Sequence, residues 1–128
     1  MRLVNLSLAQ RLLAGVLSLW VGVHALPAQA ESPWPSKPIR FVVPFAPGGT
    51  SEIVARSVAA ELSKSLGVSV YVENKPGGAG VTAMSDVAKA LPDGYTMVLT
   101  HVGTMAVNPY MLTNQPYDVN RDFAPVTL

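Results

Sequence analysis

Residues 39–52 read IRFVVPFAPGGTSE. Ile39-Arg40-Phe41-Val42-Val43 is a short apolar, β-branched run and predicts a buried strand. Pro44 stops it, because proline has no N–H to continue a ladder. Phe45 to Ser51 follows as a loop dense in breakers, with Pro47, Gly48 and Gly49 in succession. Directly behind it, Val54, Ala55, Val58, Ala59, Leu62 and Leu66 recur at helical spacing. They predict a helix over 52–66 with one apolar stripe. Arg56, Ser63 and Lys64 fall away from that stripe, and Gly67 sits where a helix C-cap belongs. Strand, glycine-rich loop and helix N-terminus in this order are the opening unit of an α/β sheet.

The same pattern continues outward. Residues 68–72 alternate and predict a second strand, and 73–80 read ENKPGGAG, a second glycine-rich loop. Residues 81–91 predict a shorter helix with Met84, Val87, Ala88 and Leu91 on one side. Pro92-Asp93-Gly94 makes a turn, 96–100 a third strand and 101–105 a third loop. Strands alternating with helices over short connections imply parallel pairing by right-handed crossovers. The expected fold class is therefore α/β, a parallel sheet with flanking helices. Upstream, Pro33, Pro35 and Pro38 make residues 31–38 an extended lead-in.

The N-terminus carries an address. Arg2 and Arg11 are the only charges in the first thirty residues, and 12–23 is an apolar stretch, LLAGVLSLWVGV. At about 1.5 Å per residue it cannot cross a hydrocarbon core of about 30 Å. Ala28-Gln29-Ala30 then supplies a small-residue cleavage site, so residues 1–30 are expected to be a signal peptide cut after Ala30. Without Arg2 and Arg11 the remainder holds seven basic and eight acidic residues, a net charge near −1. With no Lys/Arg cluster, nucleic acid is excluded as a partner. The absence of cysteine excludes disulfide scaffolds, thiolate zinc sites and lipidation at an N-terminal cysteine.

Topology then locates the chemistry. In a parallel sheet the loops at 45–51, 73–80 and 101–105 leave from one edge, where α/β proteins bind ligands. Two of them are glycine-rich and lead straight into helix N-termini, which offer free N–H groups and a partial positive charge. Gly49 is expected to make a tight turn and admit a ligand close to the backbone. Thr50 and Ser51 can add hydroxyl donors or cap the helix. One such loop would read as a turn; two on one edge favour a site for a carboxylate or a phosphate. Glu52, in the first helical turn, suits the helix dipole. It would oppose an anion nearby unless its side chain turns away or the ligand carries an amine. His101 is the only histidine beyond the leader and reads as a polar loop residue, so it cannot make a zinc site alone. Dinucleotide, phosphate-loop and nucleophile-elbow motifs are absent, and no acid, base and nucleophile set appears. No enzymatic activity and no cofactor are expected.

Several motifs resemble a known family. Pro35-Ser36-Lys37-Pro38-Ile39-Arg40, Val43-Pro44-Phe45-Ala46-Pro47-Gly48-Gly49 and Ile53-Val54-Ala55-Arg56 resemble the start of a mature Bug-family receptor. These are the substrate-binding proteins of tripartite tricarboxylate transporters. Glu73-Asn74-Lys75-Pro76-Gly77, Pro92-Asp93-Gly94-Tyr95-Thr96, Asn108-Pro109, Pro116-Tyr117-Asp118 and Asp122-Phe123-Ala124-Pro125-Val126 continue the likeness in order. The resemblance implies a two-lobed Venus-flytrap receptor of type II topology, periplasmic and without catalysis. Residues 31–123 would form the N-terminal part of lobe 1 and 124–128 the start of the crossover to lobe 2. Family members are much longer, so the chain is expected to be truncated. The likeness also implies a small carboxylate ligand and, as partner, the membrane subunits of such a transporter. By motif position, Phe45, Gly48, Gly49, Thr50, Ser51 and Glu52 correspond to the first ligand loop, Gly78, Ala79 and Gly80 to the second, and Gly103, Thr104 and Met105 to the third. Glu52 stands where members often carry aspartate, and Thr50 where they carry a third glycine. A sensory protein that presents a bound metabolite to a signalling partner is the alternative role.

Overall fold

In the computed structural model, residues 33–127 are described, and they fall within one compact unit, Ser32–Leu128. The expected signal peptide lies outside the described residues. The elements are β1 (Ile39–Val43), α1 (Thr50–Leu66), β2 (Val70–Asn74), a 3-10 turn (Gly78–Gly80), α2 (Val81–Ala88) and β3 (Thr96–Val98). A π-type turn (Gly103–Val107) then runs directly into α3 (Asn108–Met111). The sheet order is β2-β1-β3 and both pairings are parallel. The α/β class is as expected.

Alternation along β1 builds two layers. Ile39, Phe41 and Val43 face α1 and cluster with Ala55, Ala59 and Val70. Val42 is fully buried and points the other way, as does Arg40, whose guanidinium meets Asp86 of α2 at 2.8 Å. The helices thus cover opposite faces, as right-handed crossovers running in opposite directions across the sheet, β1 to β2 and then β2 to β3, require. Arg40, Glu73, Lys75 and Asp86 form one ion-pair network that ties β1, the end of β2 and α2 together. Burial opposes ionisation of Asp86, but bonds and charge from Lys75 and Arg40 outweigh it and hold its carboxyl below the usual aspartate range.

Several boundaries differ from the sequence expectation, each for a tertiary reason. β2 begins at Val70, two residues later than alternation suggested. Pairing with β1 sets this register: Ile39 donates to Ser69 O at 2.8 Å and lies opposite Val70. The Val70 amide donates to Ser63 Oγ at 2.8 Å, so Ser63, expected away from the packing face, joins the end of α1 to β2. Val54 and Val58 are exposed, because the contact stripe centres on Ala55 and Ala59 and they lie about 100° off it. α2 ends at Ala88, where Lys89 and Ala90 tighten into i→i−3 bonds, leaving Leu91 exposed. Gly67 closes α1 in the left-handed conformation, as expected (φ 70°). Residues 101–105, read as a loop, wind into the π-type turn.

Candidate functional site

The three segments leave the carboxyl edge together. Asn74, at the end of β2, donates Nδ2–H to Phe45 O at 3.0 Å, linking the second segment to the first. Asn108 of α3 donates to Ala79 O at 3.0 Å, linking the third to the second. Phe45 and His101 stack with ring centroids 4.7 Å apart, linking the first to the third. Tyr117, buried, donates its hydroxyl proton to Thr104 O at 3.1 Å. Asn74, Asn108 and Tyr117 entered the sequence reading only as parts of motifs. Their amide and phenol groups are what hold the edge together.

In the first segment Gly48 takes the left-handed conformation (φ 92°) and Gly49 is extended (φ −90°). The tight turn expected at Gly49 is therefore made by Gly48. Glu52 folds back, so that Oε2 accepts the Gly48 N–H and Oε1 accepts from the Arg56 guanidinium. The Gly48 bond, then Arg56, hold the Glu52 carboxyl below the usual glutamate range. Its charge is directed into the loop and answered there. No side chain caps α1, and the amides of Gly49, Thr50 and Ser51 have no hydrogen-bond partner among the described residues. They sit at the positive end of a 17-residue helix. Thr50 is exposed and Ser51 half-buried.

In the second segment Gly77, Gly78, Ala79 and Gly80 all have positive φ. Ala79 is the only non-glycine residue of that kind among the described residues, a conformation costing an L-residue roughly 1–2 kcal/mol. Gly78 and Ala79 are exposed, whereas Gly80 is buried between Pro44 and Thr104. In the third segment Thr104 is buried, Gly103, Met105 and Phe45 are half-buried, and the Gly103 and Thr104 amides point at His101 Nδ1. The expected residues thus divide. Gly49, Thr50, Ser51, Gly78 and Ala79 offer backbone or hydroxyl groups at the surface; Glu52, Gly80 and Thr104 are the frame beneath.

A groove of about 520 Å³, lined by Asn74, Lys75, Pro76, Thr82, Ser85, Asp86 and Lys89, lies beside α2 and shares none of the expected ligand residues. Among the described residues no group of three or more His, Cys, Asp or Glu could hold a metal ion.

The carboxyl edge of the parallel sheet thus presents free helix-terminal amides beside left-handed glycine turns. Residues 54–128 match the model of the tripartite tricarboxylate transporter family receptor, and the chain belongs to that family, one of transport receptors and not of catalysts. It is 42% identical over 119 residues to a UPF0065 protein of Bordetella bronchiseptica, covering 93% of this chain and 35% of the relative. Among solved structures it is similar to MatC from Rhodopseudomonas palustris with bound malate, at 39% identity and a TM-score of 0.69, covering 73% of this chain and 32% of that one. It is likewise similar to an R. palustris protein with adipate, at 39% identity and a TM-score of 0.65, covering 68% and 29%. The chain spans about a third of the length of the relatives it matches.

Two predictions follow from the frame. A Cβ at Gly80 would lie 2.6 Å from Thr104 Cγ2 and 3.4 Å from Pro44 Cβ, while at Gly48 it would meet nothing within 4 Å. Both positions have positive φ. Gly48→Ala should cost about 1–2 kcal/mol from backbone strain alone, and Gly80→Ala about 2–4 kcal/mol, because overpacking adds to it. Urea unfolding measures both; equal losses would show that Thr104 does not press on Gly80. The second prediction concerns acid. Glu52 has a folded-state pKa below the ordinary 4.5, so its stabilising contribution is complete above that value and is lost as pH falls through the depressed one. Glu52→Gln should therefore lower the melting temperature at neutral pH and shrink the loss of stability below about pH 4.5 relative to the unaltered protein. Parallel pH profiles for the two proteins would show that the Gly48 bond contributes nothing.

Proposed function

We propose that this chain contributes one wall of a periplasmic receptor that captures a small dicarboxylate for a tripartite tricarboxylate transporter. The observation that carries the reading is the set of unpartnered amides at Gly49, Thr50 and Ser51, at the positive end of α1, the first two residues exposed and the third half-buried. A carboxylate oxygen placed there accepts N–H bonds that no protein group takes, with the helix dipole favouring its charge. The Thr50 and Ser51 hydroxyls add donors, and the exposed Gly78–Ala79 backbone borders the same edge. Phe45 and Met105 supply apolar contact, while Gly48, Glu52, Gly80, Gly103 and Thr104 hold the shape. Membership of a transport-receptor family supports the role, and the malate and adipate found in two similar structures support the ligand class. Export by the leader of residues 1–30, and delivery to the transporter's membrane subunits, belong to the same reading.

The test is a thermal-shift and calorimetric comparison of malate, adipate and inorganic phosphate. A ligand at about a hundred times its dissociation constant stabilises the folded state by about 2.7 kcal/mol. Malate or adipate should raise the melting temperature with saturation, and phosphate should not. Gly49→Val should weaken that binding while leaving the fold intact, because an added Cβ meets only Ala46 O, at 3.9 Å. Stabilisation by phosphate alone, or unchanged dicarboxylate affinity in Gly49→Val, would overturn the assignment.

A further inference from the structure

His101 makes two contacts that no single smaller residue could make. Its Nδ1 accepts the Gly103 N–H at 2.7 Å and the Thr104 N–H at 3.3 Å. Its carbonyl accepts the Met105 N–H at 3.1 Å, the first helical bond of the third segment. These are the bonds of a helix N-cap, a position usually filled by Ser, Thr, Asp or Asn. Thr104 completes the turn, donating Oγ1–H to His101 O at 3.0 Å and accepting the His101 N–H at 3.3 Å. The imidazole face meanwhile lies on Phe45, the planes inclined by only 22°. Phe45 is itself fixed from β2 through its carbonyl and Asn74.

We propose that His101 is a positioning residue for the ligand site: as a neutral imidazole it caps the third segment through Nδ1 and, by stacking on Phe45, sets that segment's distance from the amides at the start of α1. The proposal rests on the receptor reading for its consequence in binding, but not for the clamp itself. An asparagine could cap without stacking, and a phenylalanine could stack without capping. Histidine does both, because an imidazole carrying its proton on Nε2 is an aromatic plane with an acceptor at Nδ1. The contacts form a closed circuit, from Asn74 to Phe45, to His101, to Thr104, and through the close approach of Thr104 to Gly80 back to the second segment.

The two functions separate in His101→Phe and His101→Asn. Amide hydrogen exchange at Gly103 and Thr104 reads the cap, nitrogen NMR of the imidazole reads the tautomer, and calorimetry with malate reads the positioning. The expected results are an Nε2–H tautomer and exchange at both amides accelerated roughly tenfold in His101→Phe, with protection retained in His101→Asn. Malate affinity should fall in both variants, by roughly tenfold in His101→Phe, while circular dichroism stays unchanged. An Nδ1–H tautomer, or unaltered amide exchange in His101→Phe, would overturn the clamp. Unaltered malate affinity in both variants would overturn the positioning role even with the cap present. If the unaltered protein binds neither malate nor adipate, the receptor reading fails, while exchange and tautomer still decide the clamp.

Discussion

β1 is the constraint on which everything else depends. It has a hydrogen-bonded strand on each edge and a helix on each face, so Ile39, Val42 and Val43 are almost wholly removed from water. A strand in that position must be apolar on both faces, and apart from Arg40 it is. Arg40 is tolerated because Asp86 and Glu73 answer its charge at the sheet margin. Where β1 ends, Pro44 forces the chain out, and the two neighbouring strands end within one residue of that level, β2 opposite Val43 and β3 opposite Val42. The convergence of three segments is thus a consequence of register.

The edge is assembled by satisfying most of its polar groups internally and leaving a few open. Glu52 occupies the Gly48 amide, His101 the Gly103 and Thr104 amides, and Asn108 the Ala79 carbonyl. Each bond ties down a backbone segment of the edge. The amides of Gly49 to Ser51 stay free because the first residues of a helix have no intrahelical acceptor and no side chain here caps them. Thr50 and Ser51, which could have capped the helix, leave that role unfilled. The glutamate that looked like an obstacle to an anion is turned inward and paired with Arg56.

Much of this was legible in the residues. The alternation of apolar runs and glycine-rich loops marked the three strands, two helices and the shared edge, and Gly67 marked the end of α1. What was not legible came from contacts distant in sequence. Simple alternation placed β2 two residues early because the partner strand, not the pattern, sets register. Val54 and Val58 fit the helical stripe but lie beyond the narrow strip that a sheet face covers. Tyr117 gave no sign that its hydroxyl would support Thr104, thirteen residues earlier.

The sequence by itself determined the class of fold, the edge at which the three loops meet and the family, because periodicity, breakers and motif order are local properties of the chain. Only the tertiary structure decided which glycine turns, which amides remain free, where the Glu52 charge points and what His101 holds. Some of these contacts are close in sequence, Glu52 with Gly48 and His101 with Gly103 and Thr104, and depend on side-chain rotamers that residue types alone do not specify. Others, Phe45 against His101 and Asn74 on the Phe45 carbonyl, join segments far apart in the chain.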